Sequence, residues 1–382
     1  MIFVGQQAHN GTMSTLQRHP RLRWLVPSVA LALVFGIPAV SQRVASADPG
    51  LPPRTAEQLL TDLAKAKPVA MSGTVTQTMN LGLPTLPQFG PGGDDLSPMS
   101  LLTGNHTWRI WTNASDSVKV AKVNGSAELS VIHNPTETWL WNSQSREAIQ
   151  KKHEAAGADK KPATMPATPA PGEIAKAILA ELDPTTDVST DESTTVAGRP
   201  AYQLVLTPTT PGTRIGQVKL AIDAQNSTPL RLIVTPRGTT TAAVQVAFTA
   251  VDFTAPPAKV FTFTPPAGAT VKDADQVAAE KRATVPETTP TTKPAGKPTG
   301  MDSQVVGTSW TQVRVLTGLG DLTAAGNQDP MIAELLGQFP TVKGQWGEGK
   351  LVSTALFSAV VTTDGRVAVG MVEPALLYAA LR

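Results

Sequence analysis

The sequence predicts a mainly β protein of the α+β class: an open antiparallel sheet covered by helices, followed by a small C-terminal α/β module. Three observations lead there. Most of residues 69–264 fall into short runs that alternate apolar and polar side chains, the mark of strands with one packed face. Most gaps between the runs are short and carry Asn, Asp, Gly or Ser, as hairpins require. Two segments break the alternation with helical spacing, and a Pro/Thr/Lys-rich stretch at 273–303 sets off the last 79 or so residues as a second unit.

The elements follow in order. Thr55 is a helix N-cap, and Gln58 three residues on completes a capping box. Leu59, Leu60 and Leu63 are the stripe of that helix, which ends at Ala66-Lys-Pro68. Val69 to Leu83 reads as a long strand with one wet face. Pro84 to Gly93 is a Pro/Gly loop. Strands are expected at 107–112, 118–123, 128–133, 138–141 and 147–151, with Asn124-Gly125 as the clearest turn. Residues 155–171 mix Ala, Lys and Pro and read as a mobile insertion. Glu173 to Leu182 is a second helix. Strands at 201–207, 217–223, 229–235 and 243–253 follow. A closing strand is expected at Val260-Phe-Thr-Phe-Thr264, stopped by Pro265-Pro266, which cannot donate to a ladder. In the module, strands are expected at 311–316, 350–362 and 366–372, the last two around the turn Thr363-Asp-Gly365. Helices are expected from Met331 and over Pro374–Leu381.

Composition excludes several functions. There is no cysteine, so disulfides, thiolate metal sites and cysteine nucleophiles are out. The five histidines show no helical metal-ligand spacing, so no metal and no cofactor are expected. Arg18, Arg21, Arg23 and Arg43 are the only charged side chains in residues 1–47. Taking these four from 32 basic residues leaves 28 against 30 acidic ones, without the basic stripe a nucleic-acid partner wants. Those first 47 residues read as an export signal: arginines, the apolar run Trp24–Val40, then Ala45-Ser-Ala47 before Asp48. The alternative is an uncleaved anchor; either way the remainder is expected outside the cytoplasm. Ser72-Gly73 and Ser130 lack the glycine frame of a nucleophile elbow, and the glycines lack phosphate-binding spacing, so no enzyme is expected.

What remains is apolar sheet surface. Val75, Met79, Leu81, Trp108, Ile110, Val118, Val120, Leu129, Val131, Trp139 and Trp141 are expected to share one face of the sheet, joined by Phe261 and Phe263 of the closing strand. Two helices are available to cover that face, and a loose cover leaves a hollow. A tight cover would leave only core.

Four pieces, in this order, resemble the lipoprotein carrier (LolA-like) family over residues 55–272. They are the opening helix with Met71-Ser-Gly-Thr-Val-Thr-Gln77; Thr138-Trp-Leu-Trp141 with its turn Asn142-Ser-Gln-Ser145; the hairpin Val218–Leu232; and the Phe-x-Phe-x-Pro-Pro end at 261–266. The resemblance implies a half-barrel holding acyl chains of lipids or lipoproteins in its hollow. The 155–171 insertion and residues 304–382 depart from the family pattern. The family's cavity arginine has no clear counterpart; Arg109 is nearest but falls on the wet face. The same half-barrel superfamily includes extracytoplasmic regulators of anti-sigma factors. That second reading gives residues 304–382 a membrane-protein partner. A third is an envelope interaction protein with a filled core.

Overall fold

A computed structural model describes residues 50–83, 104–124, 127–153, 185–277, 302–318 and 336–382. The expected signal segment, Pro/Gly loop, 155–171 insertion, second helix, most of the linker and the start of the helix at Met331 lie outside these residues.

Helix α1 spans Ala56–Lys65. The Thr55 hydroxyl accepts the Gln58 N–H, and the Gln58 side chain accepts the Thr55 N–H, so the capping box forms as expected. Leu59 and Leu63 are its buried stripe.

The first sheet has twelve strands. These are β1 (Met71–Met79), β2 (Gly104–Thr112), β3 (Val118–Asn124), β4 (Ala127–His133), β5 (Glu137–Asn142), β6 (Glu147–Lys152), β7 (Thr186–Val196), β8 (Arg199–Pro208), β9 (Ile215–Asp223), β10 (Pro229–Pro236), β11 (Val244–Asp252) and β12 (Thr270–Asp273). Their order across the sheet is β12-β6-β5-β4-β3-β2-β1-β11-β10-β9-β8-β7. Two meanders, β2–β6 and β7–β11, therefore flank β1, which pairs with β2 on one side and β11 on the other. All neighbours are antiparallel except β12 and β6.

The closing strand expected at 260–264 does not form. Residues Ala258–Phe261 make a 3-10 turn, and the chain then crosses the sheet face opposite α1 as an extended strap. Asn134 Nδ2 donates to the Phe261 carbonyl at 2.9 Å. Phe263 packs on Trp139 and Trp141, with ring centroids 5.3 and 5.6 Å away. The strap ends in β12, which lies parallel along β6 and covers the edge β6 would otherwise expose.

The largest core lies on the α1 side of β1 and β7–β11, where Leu204, Leu220, Leu232, Val246 and Val75 stack beneath Leu59 and Leu63. Gly73 serves this packing: a Cβ there would come within 2.7 Å of the Phe248 ring.

The C-terminal module is a six-stranded antiparallel sheet of β13 (Asp302–Val306), β14 (Val313–Thr317), β15 (Thr341–Gly344), β16 (Gly347–Ser353), β17 (Ser358–Thr362) and β18 (Val367–Gly370), in the order β13-β14-β18-β17-β16-β15. Helix α2 (Pro374–Ala380) packs on it through Leu377. The run expected as one strand over 350–362 is broken at Thr354–Phe357, where the Thr354 hydroxyl accepts the Phe357 N–H and donates to the Phe357 carbonyl.

The two sheets are joined directly. Thr213 and Val372 form an antiparallel bridge, closed by Arg214 N–H to the Met371 carbonyl (2.9 Å) and Glu373 N–H to the Gly212 carbonyl (2.8 Å). Trp310 Nε1 donates to Thr186 Oγ1 at 2.7 Å. Gly212 has φ +87°, and a Cβ there would lie 2.8 Å from Leu376, so glycine permits both the backbone turn and the approach of α2.

Candidate functional site

Residues paired across antiparallel strands point to the same side, so the registers sort every candidate by face. Val75 pairs with Trp108, Ile110 with Val120, Val120 with Val131, and Lys122 with Leu129; Val118 pairs with Thr112, two residues along from Ile110. Val75, Met79, Trp108, Ile110, Val118, Val120, Leu129 and Val131 therefore share the side α1 covers. Leu81 lies just past the end of β1 and is buried in the same core.

Trp139 and Trp141 do not join them. Ile132 pairs with Trp139 and Ser130 with Trp141, which puts both tryptophans on the opposite face, beneath the strap. Phe263 belongs there too, and Phe261 is buried in the 3-10 turn at the start of the strap. Arg109 pairs with Ala121 and Thr74, on the face away from α1.

The residue between the two tryptophans takes the position expected of them. Leu140 pairs with Val131 and with Ile149. A lateral row thus runs Ile110–Val120–Val131–Leu140–Ile149 across β2 to β6, spanning about 19 Å at four strand spacings of about 4.8 Å. It is buried at the β1 side and most open at Leu140: Ile110 is 1% exposed, Val120 9% and Leu140 36%, with Val131 and the outermost Ile149 half-buried. The flanking rows are more polar. Trp108, Lys122, Leu129, Asn142 and Glu147 lie on one side, and Thr112, Val118, His133, Thr138 and Lys151 on the other. Trp108, Val118 and Leu129 widen the apolar surface over β2 to β4, and it narrows to a strip one residue wide at β5 and β6.

One end of a flanking row carries a histidine pair. Thr138 Oγ1 lies 2.8 Å from His133 Nδ1 and 2.9 Å from His153 Nε2, with the rings 5.0 Å apart. A hydroxyl has one proton, so one imidazole accepts from it while the other donates to it. Burial pushes the His133 pKa down, His153 adds to this, and Asp116 opposes it. No cluster of three metal-ligating side chains occurs among the described residues. A surface cavity of about 690 Å³ lies elsewhere, at the first turn of α1, lined by Arg54, Thr55, Gln58, Asp62 and Tyr202. Charged and polar groups (Arg54, Glu57, Gln58, Asp62) share its lining with Pro52, Pro53 and Tyr202, which suits an alkyl chain poorly.

The class this architecture defines is an open, helix-covered antiparallel sheet bearing an apolar strip, with a second sheet docked at one end. No family model and no curated protein matches the chain. Solved structures do. MucB is 15% identical at a TM-score of 0.39, covering 85% of this chain and 95% of that one. The Pseudomonas aeruginosa MucA/MucB complex gives 16% and 0.41, covering 85% and 96%. LprF from Mycobacterium bovis gives 13% and 0.31, covering 56% of this chain and 97% of that one. A LolA superfamily protein from Nitrosomonas europaea is also among the matches, at 10% and 0.23, covering 55% and 99%.

Proposed function

We propose that the chain is a carrier that holds the acyl chain of a lipid or lipoprotein against the strip Ile110–Val120–Val131–Leu140–Ile149. The observation that carries this reading is the strip's change of exposure: an apolar row that begins in the core at Ile110 and opens to solvent at Leu140, where polar rows border it. Each methylene moved from water onto such a surface is worth about 0.8 kcal/mol, and ordering the chain offsets part of that. The narrow end of the strip, at Leu140 and Ile149, suits one chain lying across the strands.

Native mass spectrometry of the purified protein followed by lipid extraction tests the reading. Stoichiometric acyl-lipid adducts are expected. Val131→Glu and Leu140→Glu place a charge in the strip and should each lower adduct occupancy about tenfold, since an apolar surface cannot solvate it. Trp139→Ala, on the far face, should leave occupancy unchanged in the folded fraction. A clean apo mass with no uptake of added palmitate would sink the carrier and turn attention to protein partners of the C-terminal module.

A further inference from the structure

The row Ile110–Val120–Val131–Leu140–Ile149 has one more member. Strand β12 lies parallel along β6, with Thr270 beside Glu147 and Lys272 beside Ile149. Residues in register on neighbouring strands share a face, so Lys272 continues the row beyond Ile149. Its ammonium confirms the facing: Lys272 Nζ lies 3.0 Å from Glu147 Oε1, and Glu147 stands two residues before Ile149 on the same side of β6. The row thus begins in a buried alkyl group at Ile110 and ends in an exposed cation, about 24 Å away at five strand spacings of about 4.8 Å.

A second cation flanks the same end. Lys151 is two residues beyond Ile149 on that face, and its Nζ lies 3.6 Å from Asp275 Oδ1. Both ion pairs are open to water. The Lys272 and Glu147 side chains are 45% and 32% exposed, and Lys151 and Asp275 are more exposed still. Exposed pairs of this kind contribute little to stability, so neither carboxylate holds its lysine firmly against a competing anion. The inner end offers no such group: Trp108 and Thr112 flank Ile110, and Lys122, on the flank of Val120, is buried at 3% exposure.

We propose that Lys272 and Lys151 form a headgroup subsite, so that the cargo is an amphiphile with one anionic end, a carboxylate or a phosphate, held with that end at β12 and its alkyl chain running inward toward Ile110. The inference rests on the carrier reading and gives it a direction. It also gives the strap a task beyond packing on Trp139 and Trp141, since the strap delivers β12, and with it the cation, to the end of the strip. Glu147 is the resident competitor for Lys272, and Asp275 for Lys151. An arriving headgroup turns both carboxylates out into water, where they are solvated, so binding strands no buried charge.

Isothermal titration calorimetry of the full chain with laurate, dodecyl phosphate and dodecanol, each kept monomeric, tests this. The two anions should bind about fivefold more tightly than the alcohol, the scale of an exposed charge contact, and about 1 M salt should erase most of that preference. The tighter anion identifies the headgroup. Lys272→Gln/Lys151→Gln should bring both anions to the affinity of dodecanol. Glu147→Gln, which keeps Lys272 and removes its competitor, should raise the preference several-fold and decides the matter if the double variant loses β12. Equal affinity for all three ligands in the native chain would overturn the headgroup subsite and leave the carrier standing, as would a preference that both variants leave unchanged. No binding of any of the three by any form would overturn both.

Discussion

Asp223 shows how one residue ties two strands and a turn together. Its side chain is fully buried at the end of β9. Arg199 from β8 forks onto both carboxylate oxygens, and the N–H groups of Gln225 and Asn226 bond to Oδ1. Burial alone pushes this carboxyl up, but Arg199 and the two turn amides outweigh it and hold the pKa below the ordinary 3.8. A depressed carboxylate contributes stability that is complete above the unfolded value and is lost as pH falls through the folded one. Asp223→Asn should cost about 3 kcal/mol in urea unfolding at neutral pH, because Arg199 loses its counter-charge. It should also flatten the stability profile below about pH 4, the window set by the unfolded carboxylate. His133 acts at higher pH. Its folded pKa lies below 6.5, so the unfolded chain binds the proton more readily. Stability should fall as pH drops from 6.5 toward the folded value, and His133→Gln should remove that slope. Unfolding midpoints across pH 5 to 8 check this.

At the scale of elements, four strands went unforeseen, β7, β12, β13 and β15, and β7 is the longest. Strand β7 reads Thr-Asp-Val-Ser-Thr-Asp-Glu-Ser-Thr-Thr-Val, without apolar alternation, because it is an edge strand exposed over its middle. Ala197 and Gly198 both have positive φ, the type I′ geometry that two-residue hairpins favour, but Ala-Gly is not among that turn's usual sequence pairs. The other elements of β1–β6 and β8–β11 were legible because one face of each is packed. Facing was less legible. Strands β4 and β5 carry large apolar groups on both sides, with Val131 and Leu140 on one and Ile132 and Trp139 on the other. Alternation fixes relative facing within a strand, but only the turn between strands fixes the phase, and a one-residue slip exchanges the faces. The Phe-x-Phe segment misled for a related reason. An extended strap over two tryptophans needs the same period as a strand. Phe263→Ala should cost about 2 kcal/mol and raise hydrogen exchange at Thr270–Asp273, while β9 and β10 stay protected.

At the scale of the molecule, the two sheets share a hydrogen-bonded junction and one buried cluster, so thermal unfolding should be a single transition. Gly212→Val places a branched side chain at positive φ against Leu376. It should separate the melting of the C-terminal sheet from that of the first sheet in calorimetry. The position of β1 has a further consequence, for the order in which the chain can fold. The two meanders are local structures, each closed by short turns. Strand β1 is not: Thr76 lies against Ala247, 171 residues away. The first strand to be synthesised is thus the one whose second partner arrives last. Both meanders can form while β1 waits with one edge unpaired. Loop closure on that scale makes the final pairing the slow step. Until it occurs, Met71–Met79 and Val244–Asp252 are the segments exposed to aggregation and to proteases.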